Sequence, residues 1–200
     1  LGPETPLTIG VLGAMTPHKG IHRLRACAER ARQTSLPLRF VLIGYVAGGG
    51  GGEFLKTGPY NNDTLPELLR EHAIDVVWFP GEFPETFSYT LSTCIETGLP
   101  VIAPHLGSFT ERLAGREWSW IVPHDLNSDK FVQFFTSVRR EHFIPGMSPP
   151  IFGFEGPAAE KISIRSGIWR ETALNNCGST LDRTETTDVS HAGRRSARCR

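Results

Sequence analysis

An excess of positive or negative charge is missing from this sequence: 21 Lys and Arg face 21 Asp and Glu across 200 residues, a formal net charge of zero. Such a balance gives no strong attraction to nucleic acid or to an anionic membrane surface. Long apolar runs are also missing, so neither a transmembrane helix nor a signal peptide is expected in this sequence. Cysteine is scarce. The four present, at 27, 94, 177 and 199, show no C-x-x-C spacing. Cys27 and Cys94 fall on apolar helix faces, which predicts reduced thiols in a cytoplasmic protein rather than disulfides or a zinc site. The dinucleotide fingerprint G-x-G-x-x-G, the Walker A loop and the zinc-hydrolase H-E-x-x-H are all absent, and so is the G-x-S-x-G elbow of the hydrolases. His18 and His22 stand four apart with no third ligand in view, so neither a metal nor a cofactor is expected.

Strand and helix patterns are what the sequence does have, with 39% hydrophobic residues to build a core. Leu7 to Leu12 is a short β-branched apolar run, and Gly13 to Gly20 reads as a loop. Ile21 to Thr34 carries apolar residues at 21, 24, 28 and 31, one face of a helix. Leu38 to Tyr45 is a second strand, with Gly44 near its end leaving room for the close approach of a ligand. Five consecutive glycines, 48 to 52, read as a flexible linker. Glu53 to Lys56 is a short third strand. Thr64 and Glu67 form a capping box around Pro66 at the start of the next helix. Asp75 to Phe79 is a buried strand, Trp118 to Val122 another, and Ser128 to Arg139 a closing helix. Strands alternating with helices predict an α/β fold, a Rossmann-like doubly wound parallel sheet.

The most informative stretch is Glu85 to Pro104. Glu85 and Thr86 lie in a loop, and apolar residues at 87, 91, 94 and 95 then mark a helix capped by Thr86 or Ser88. Gly98 and Pro100 end that helix, and Val101 to Ala103 form a buried strand. A helix N-terminus carries roughly half a positive charge and free N–H groups, a natural seat for phosphate. Glu85 beside it would repel phosphate and must address hydroxyls instead. Pyrophosphate on the N–H groups and a sugar under the carboxylate together describe a nucleotide-sugar.

This stretch resembles the E-x-F-G-x-x-x-x-E-A-x-x-x-G-x-P-V-V-A signature of group-1, or family 4, retaining glycosyltransferases of the GT-B fold. Glu85, Phe87, Gly98, Pro100, Val101 and Ala103 are in register. Ser88 replaces a glycine, and Thr93 stands at the second glutamate. Four further segments follow the family's order. Lys19 and Gly20 match its G-R-x-x-x-x-K-G loop, with Gly13 at the first glycine and Ala14 at the arginine. Gly58 and Tyr60 fall where the family lines its base pocket, and Gly107 and Glu111 match its G-G-x-x-E segment. Trp118 to Pro123 is similar to the strand that precedes the final helix.

The resemblance implies the C-terminal, donor-binding half of a GT-B enzyme, transferring a sugar from a nucleoside diphosphate sugar with retention of configuration. The acceptor would be an unidentified glycan, lipid or protein, and an N-terminal acceptor domain would precede this chain, which opens on Leu1 and is expected to be a fragment. By the same resemblance Glu85 holds the donor sugar and Lys19 the diphosphate, the two catalytic candidates. Gly13, Gly44, Tyr60, Thr86, Phe87, Ser88, Tyr89 and Thr93 complete the donor-binding set, with a Thr93 hydroxyl where the family has a ribose-binding carboxylate. The nucleotide-sugar domain is placed at residues 1–143, followed by a loosely ordered Pro/Gly- and Arg-rich tail at 144–200. The alternatives are a non-catalytic nucleotide-binding or assembly module on the same fold, and half of a sugar-nucleotide epimerase.

Overall fold

The protein is seen here as a computed structural model that describes residues 1–49 and 54–144. The expected tail, from residue 145 onward, and most of the glycine run lie outside the described residues, as does Glu53. Six strands form one all-parallel sheet: β1 (Leu7–Met15), β2 (Leu38–Val46), β3 (Leu55–Lys56), β4 (Val76–Trp78), β5 (Val101–Pro104) and β6 (Ser119–Val122). Their order across the sheet is β3-β2-β1-β4-β5-β6. The chain therefore winds outward from β1 to one edge, returns, and winds outward again from β4. The α/β expectation is met.

A parallel sheet needs both faces covered, and the strands supply two apolar faces by their period of two. Leu7, Ile9, Val11, Phe40, Leu42, Trp78 and Ile102 point to one side, into a core shared with α1 (Ile21–Gln33) and α5 (Ser128–Val138). Val41, Ile43, Val77, Val101 and Ala103 point to the other. There they meet α2 (Leu65–Glu71), α3 (Tyr89–Glu96) and α4 (Ser108–Arg112). Among the described residues, no helix is long and apolar enough to cross a membrane.

Four local expectations are corrected. Gly13 to Met15 is strand, not loop: β1 pairs with β2 through Gly13↔Gly44 and on to Met15↔Val46. The room at Gly44 is filled by backbone, because a Cβ there would lie 2.0 Å from the Gly13 carbonyl oxygen. The capping box at Thr64 does not form. No side chain caps α2, and the Thr64 hydroxyl donates instead to the Asn61 carbonyl at 2.8 Å. Finally, Phe87 is not on the buried helix face, since α3 begins two residues later and Phe87 is 53% exposed.

Cys27 and Cys94 are buried and free. Burial pushes both thiols up to about 12. Reactivity follows the thiolate, so neither should alkylate at pH 8 while the fold is intact. Peptide mapping after native and denaturing iodoacetamide treatment checks this. Label on either residue in the native sample would contradict the packing described.

Candidate functional site

In open α/β sheets ligands bind beyond the carboxyl ends of the strands, where the winding reverses. Here that place lies between β1 and β4. The loops that leave these two strands are Thr16–Gly20 and Phe79–Ser88, and they carry Lys19 and Glu85. The sheet therefore brings the two segments to one edge, although they are far apart in sequence.

Direct contacts join the loops. The Glu82 N–H donates to the His18 carbonyl at 3.1 Å, and the His18 and Phe83 rings meet edge to face at 4.9 Å. Gly20 caps α1 in the left-handed region (φ 83°), and a Cβ there would lie 2.2 Å from the Pro80 carbonyl oxygen. Arg23 on α1 ties the junction to a third loop. Its guanidinium donates to the Pro80 carbonyl at 2.9 Å and to the His124 carbonyl at 2.8 Å, and lies 3.6 Å from Glu82. Lys19 itself is exposed.

Glu85 is half-buried and held by its backbone. Its carbonyl accepts from the Ser108 N–H at 2.9 Å. Gly107 makes that approach feasible: its φ is 54°, and a Cβ would stand 2.4 Å from the Glu85 oxygen and 2.8 Å from the Glu85 nitrogen. The glycine of the G-G-x-x-E-like segment thus serves to seat the Glu85 turn.

Thr86 is exposed, and Ser88 is the N-cap residue of α3. Its hydroxyl makes no capping bond and pairs with the Thr90 hydroxyl at 3.1 Å. Side chains therefore leave the first N–H groups of α3 unclaimed. The helix end can offer them to an anion. Tyr89 is 73% exposed beside Phe87, with ring centroids 5.1 Å apart. Thr93 is half-buried one turn into α3.

The remaining candidates sit elsewhere. Gly13 lies on β1 with open space where a Cβ would be, whereas Gly44 is packed against it. The Gly44 N–H donates to the Thr57 hydroxyl at 3.0 Å. Tyr60 is partly buried against the core beneath α2 and α3. Burial, with a smaller contribution from Cys94, pushes its hydroxyl up to about 12. Its ring is thus at least partly committed to packing.

Two residues escaped the sequence reading. One is Arg23. The other is Arg112 on α4, which donates to the Ser88 carbonyl and to the Ser92 hydroxyl, both at 2.8 Å. Its guanidinium carbon also lies 4.4 Å from the centre of the Phe87 ring. Nothing in local spacing points to Arg112, because its partners stand some twenty residues upstream. Among the described residues no group of three or more His, Cys, Asp or Glu could hold a metal ion.

No protein-family model matches the sequence, and no curated protein matches it. Solved structures do match. HepE from Anabaena in complex with UDP-glucose is 17% identical with a TM-score of 0.53, over 66% of this chain and 39% of that one. The C-terminal domain of LpcC, a glycosyl transferase group 1 family protein from Francisella tularensis, is 18% identical with a TM-score of 0.52. That match covers 68% of this chain and 77% of that domain. Sucrose-phosphate synthase from Thermosynechococcus elongatus is 17% identical with a TM-score of 0.54, over 70% of this chain and 37% of that one. This is the Rossmann-like fold of GT-B glycosyltransferase domains. The chain spans roughly two fifths of two of these structures, 39% of HepE and 37% of the synthase.

Proposed function

We propose that this chain is the donor-binding half of a retaining, group-1 type glycosyltransferase. It would act on a nucleoside diphosphate sugar and an acceptor that is a glycan, lipid or protein. The observation that carries the reading is the joined pair of loops at the reversal between β1 and β4, with a cation on one and, on the other, a glutamate whose backbone is seated before a helix N-terminus. Lys19 and the open N–H groups of α3 suit a diphosphate, since oriented dipoles and a point charge both stabilise its negative charge. Glu85 then accepts hydrogen bonds from sugar hydroxyls. A carboxylate acceptor makes these about twice as strong as neutral ones. When the glycosidic bond to the diphosphate breaks, charge develops on the leaving group, and the Lys19 ammonium would stabilise it. The acceptor half would close the cleft from the opposite side. No metal or cofactor enters this scheme, and a cytoplasmic setting fits the free thiols.

The chain itself supports donor binding more directly than transfer. A non-catalytic nucleotide-binding module remains the second reading, favoured by Ala14, which supplies no cation where the resembling family has an arginine.

Thermal unfolding with UDP, GDP, ADP and inorganic phosphate tests donor binding. A nucleoside diphosphate at about one hundred times its Kd adds roughly 2.7 kcal/mol, which raises Tm by several degrees in a domain of this size. Lys19→Ala should weaken that ligand about tenfold, as expected for one charge-assisted contact. If none of the three diphosphates shifts Tm, the donor reading is wrong. UDP-glucose, GDP-mannose and ADP-glucose offered to the chain joined to its acceptor half then distinguish transfer from binding alone.

A further inference from the structure

We propose that Arg112 is a positioning residue for the candidate donor site, setting the Glu85 carboxylate by gripping the far end of its turn. The inference rests on the donor-binding reading above and names a residue which that reading does not use. The segment from Glu85 to Ser88 ends the loop from β4 to α3 and has no regular structure of its own. It is held at both ends by the same neighbouring element. At one end Gly107 and the Ser108 N–H hold the Glu85 backbone, the hydrogen bond being 2.9 Å. At the other, the Arg112 guanidinium donates at 2.8 Å to the Ser88 carbonyl and at 2.8 Å to the Ser92 hydroxyl.

Only Thr86 and Phe87 lie between the two grips, and Phe87 is itself covered on one face by the guanidinium at 4.4 Å. The Ser88 carbonyl also accepts the first helical bond of α3, from Ser92 N–H, but at a long 3.2 Å. The arginine bond is the shorter of the two. A guanidinium suits this place because it is planar, always charged and able to donate in two directions while stacking on a ring. One N–H at Nη1 and one at Nη2 are engaged by the protein, and the role proposed for it is through the turn rather than on the ligand. Its charge nonetheless lies beside the α3 N-terminus and adds to the field that favours an anion there.

The test is a double-mutant cycle between Arg112 and Glu85, read as affinity for a nucleotide-sugar and for its bare nucleoside diphosphate. The probes are UDP-glucose with UDP, GDP-mannose with GDP, and ADP-glucose with ADP. Arg112→Ala should weaken the nucleotide-sugar about tenfold and the diphosphate less than about threefold. In a Glu85→Gln background the same change should add almost nothing, because residues acting through one contact are not additive. Arg112→Lys, which keeps the charge but loses the planar fork and its stacking on Phe87, should be intermediate. Amide exchange over residues 85–92 should speed up in Arg112→Ala with the rest of the sheet unchanged.

Equal losses for both ligands, additive losses with Glu85→Gln, or an unchanged affinity in a folded Arg112→Ala protein would each overturn the proposal. If Arg112→Ala does not fold, the comparison of Arg112→Lys with wild type decides by the same criteria. Failure of wild type to bind any of the six ligands refutes the donor reading itself and the role of Arg112 within it. That outcome differs from the others because it appears before any substitution is made.

Discussion

Gly20→Ala is expected to lower the unfolding free energy by about 3 kcal/mol and, at the same time, to weaken nucleoside diphosphate binding. Two costs combine. Gly20 sits at φ 83° and ψ 28°. A side chain in that left-handed region costs about 1–2 kcal/mol. The new Cβ would also stand 2.2 Å from the oxygen and 2.7 Å from the carbon of the Pro80 carbonyl. Those atoms are backbone and cannot rotate away, so the loop after β4 must move outward. It would pull on the Glu82–His18 hydrogen bond and on the Arg23 contact with Pro80.

Gly13→Ala supplies the control. Its φ is 96°, but nothing lies within 4 Å of the added Cβ, so it carries the conformational cost alone. Urea denaturation of both variants checks the difference. Gly20→Ala should lose about 2 kcal/mol more than Gly13→Ala, and roughly 6–12 °C of Tm in all, from the usual ratio for a domain of this size. Equal losses would mean that the loops after β1 and β4 do not meet as closely as described. The functional consequence follows from position. Lys19 is the residue before Gly20, and Pro80 lies in the loop that carries Glu85, so the close approach of Gly20 to the Pro80 carbonyl sets the spacing of the site.

Much of this architecture was legible because it is written in local patterns. The end of α3 and the start of β5 follow from Gly98, Pro100 and an apolar run, and Gly98 does adopt a left-handed φ of 70°. The limits of α1 follow from its apolar spacing, and Ile21, Leu24, Ala28 and Ala31 are buried as expected. Where the reading failed, the deciding contact was distant in sequence. Gly13 looked like a loop residue, yet it is held in β1 by pairing with Gly44. Phe87 fitted a helical period, but what it touches is the guanidinium of Arg112 and the ring of Tyr89. Thr64 and Glu67 had the spacing of a capping box, while the hydroxyl found the Asn61 carbonyl first. Arg112 and Arg23 could not be found by spacing at all. Each bonds backbone carbonyls, which any sequence provides, and only the fold decides which carbonyls come within reach.

Trp78→Ala should be the most destabilising single change in the domain, with a loss of about 3–5 kcal/mol. Trp78 has no exposed surface and is the largest of the fully buried side chains. It stands at the end of β4 and packs against Phe131 and Phe135 on α5, each at 5.0 Å, and against Phe40 on β2 at 6.3 Å. These rings belong to two elements, α5 and β2, and cannot all collapse into the space that an alanine leaves. Trp78→Phe should behave very differently. The indole N–H is buried without a hydrogen-bond partner, and such a group carries a desolvation penalty of about 1–3 kcal/mol. A phenylalanine gives up part of the ring's volume but also removes that penalty, so the net loss should stay near 1 kcal/mol. Denaturant titration of the two variants measures both. A loss with Trp78→Phe that approaches the loss with Trp78→Ala would show that the indole N–H is satisfied and that the core is not packed as described. The site itself adds a reason to expect cooperativity. Trp78 is the last residue of β4, and the loop that carries Glu85 starts at the next position. A cavity under that point frees the loop's anchor from below while Gly107 and Arg112 still hold its far end. Trp78→Ala should therefore weaken nucleotide-sugar binding at temperatures where the protein remains folded, with Trp78→Phe retaining it.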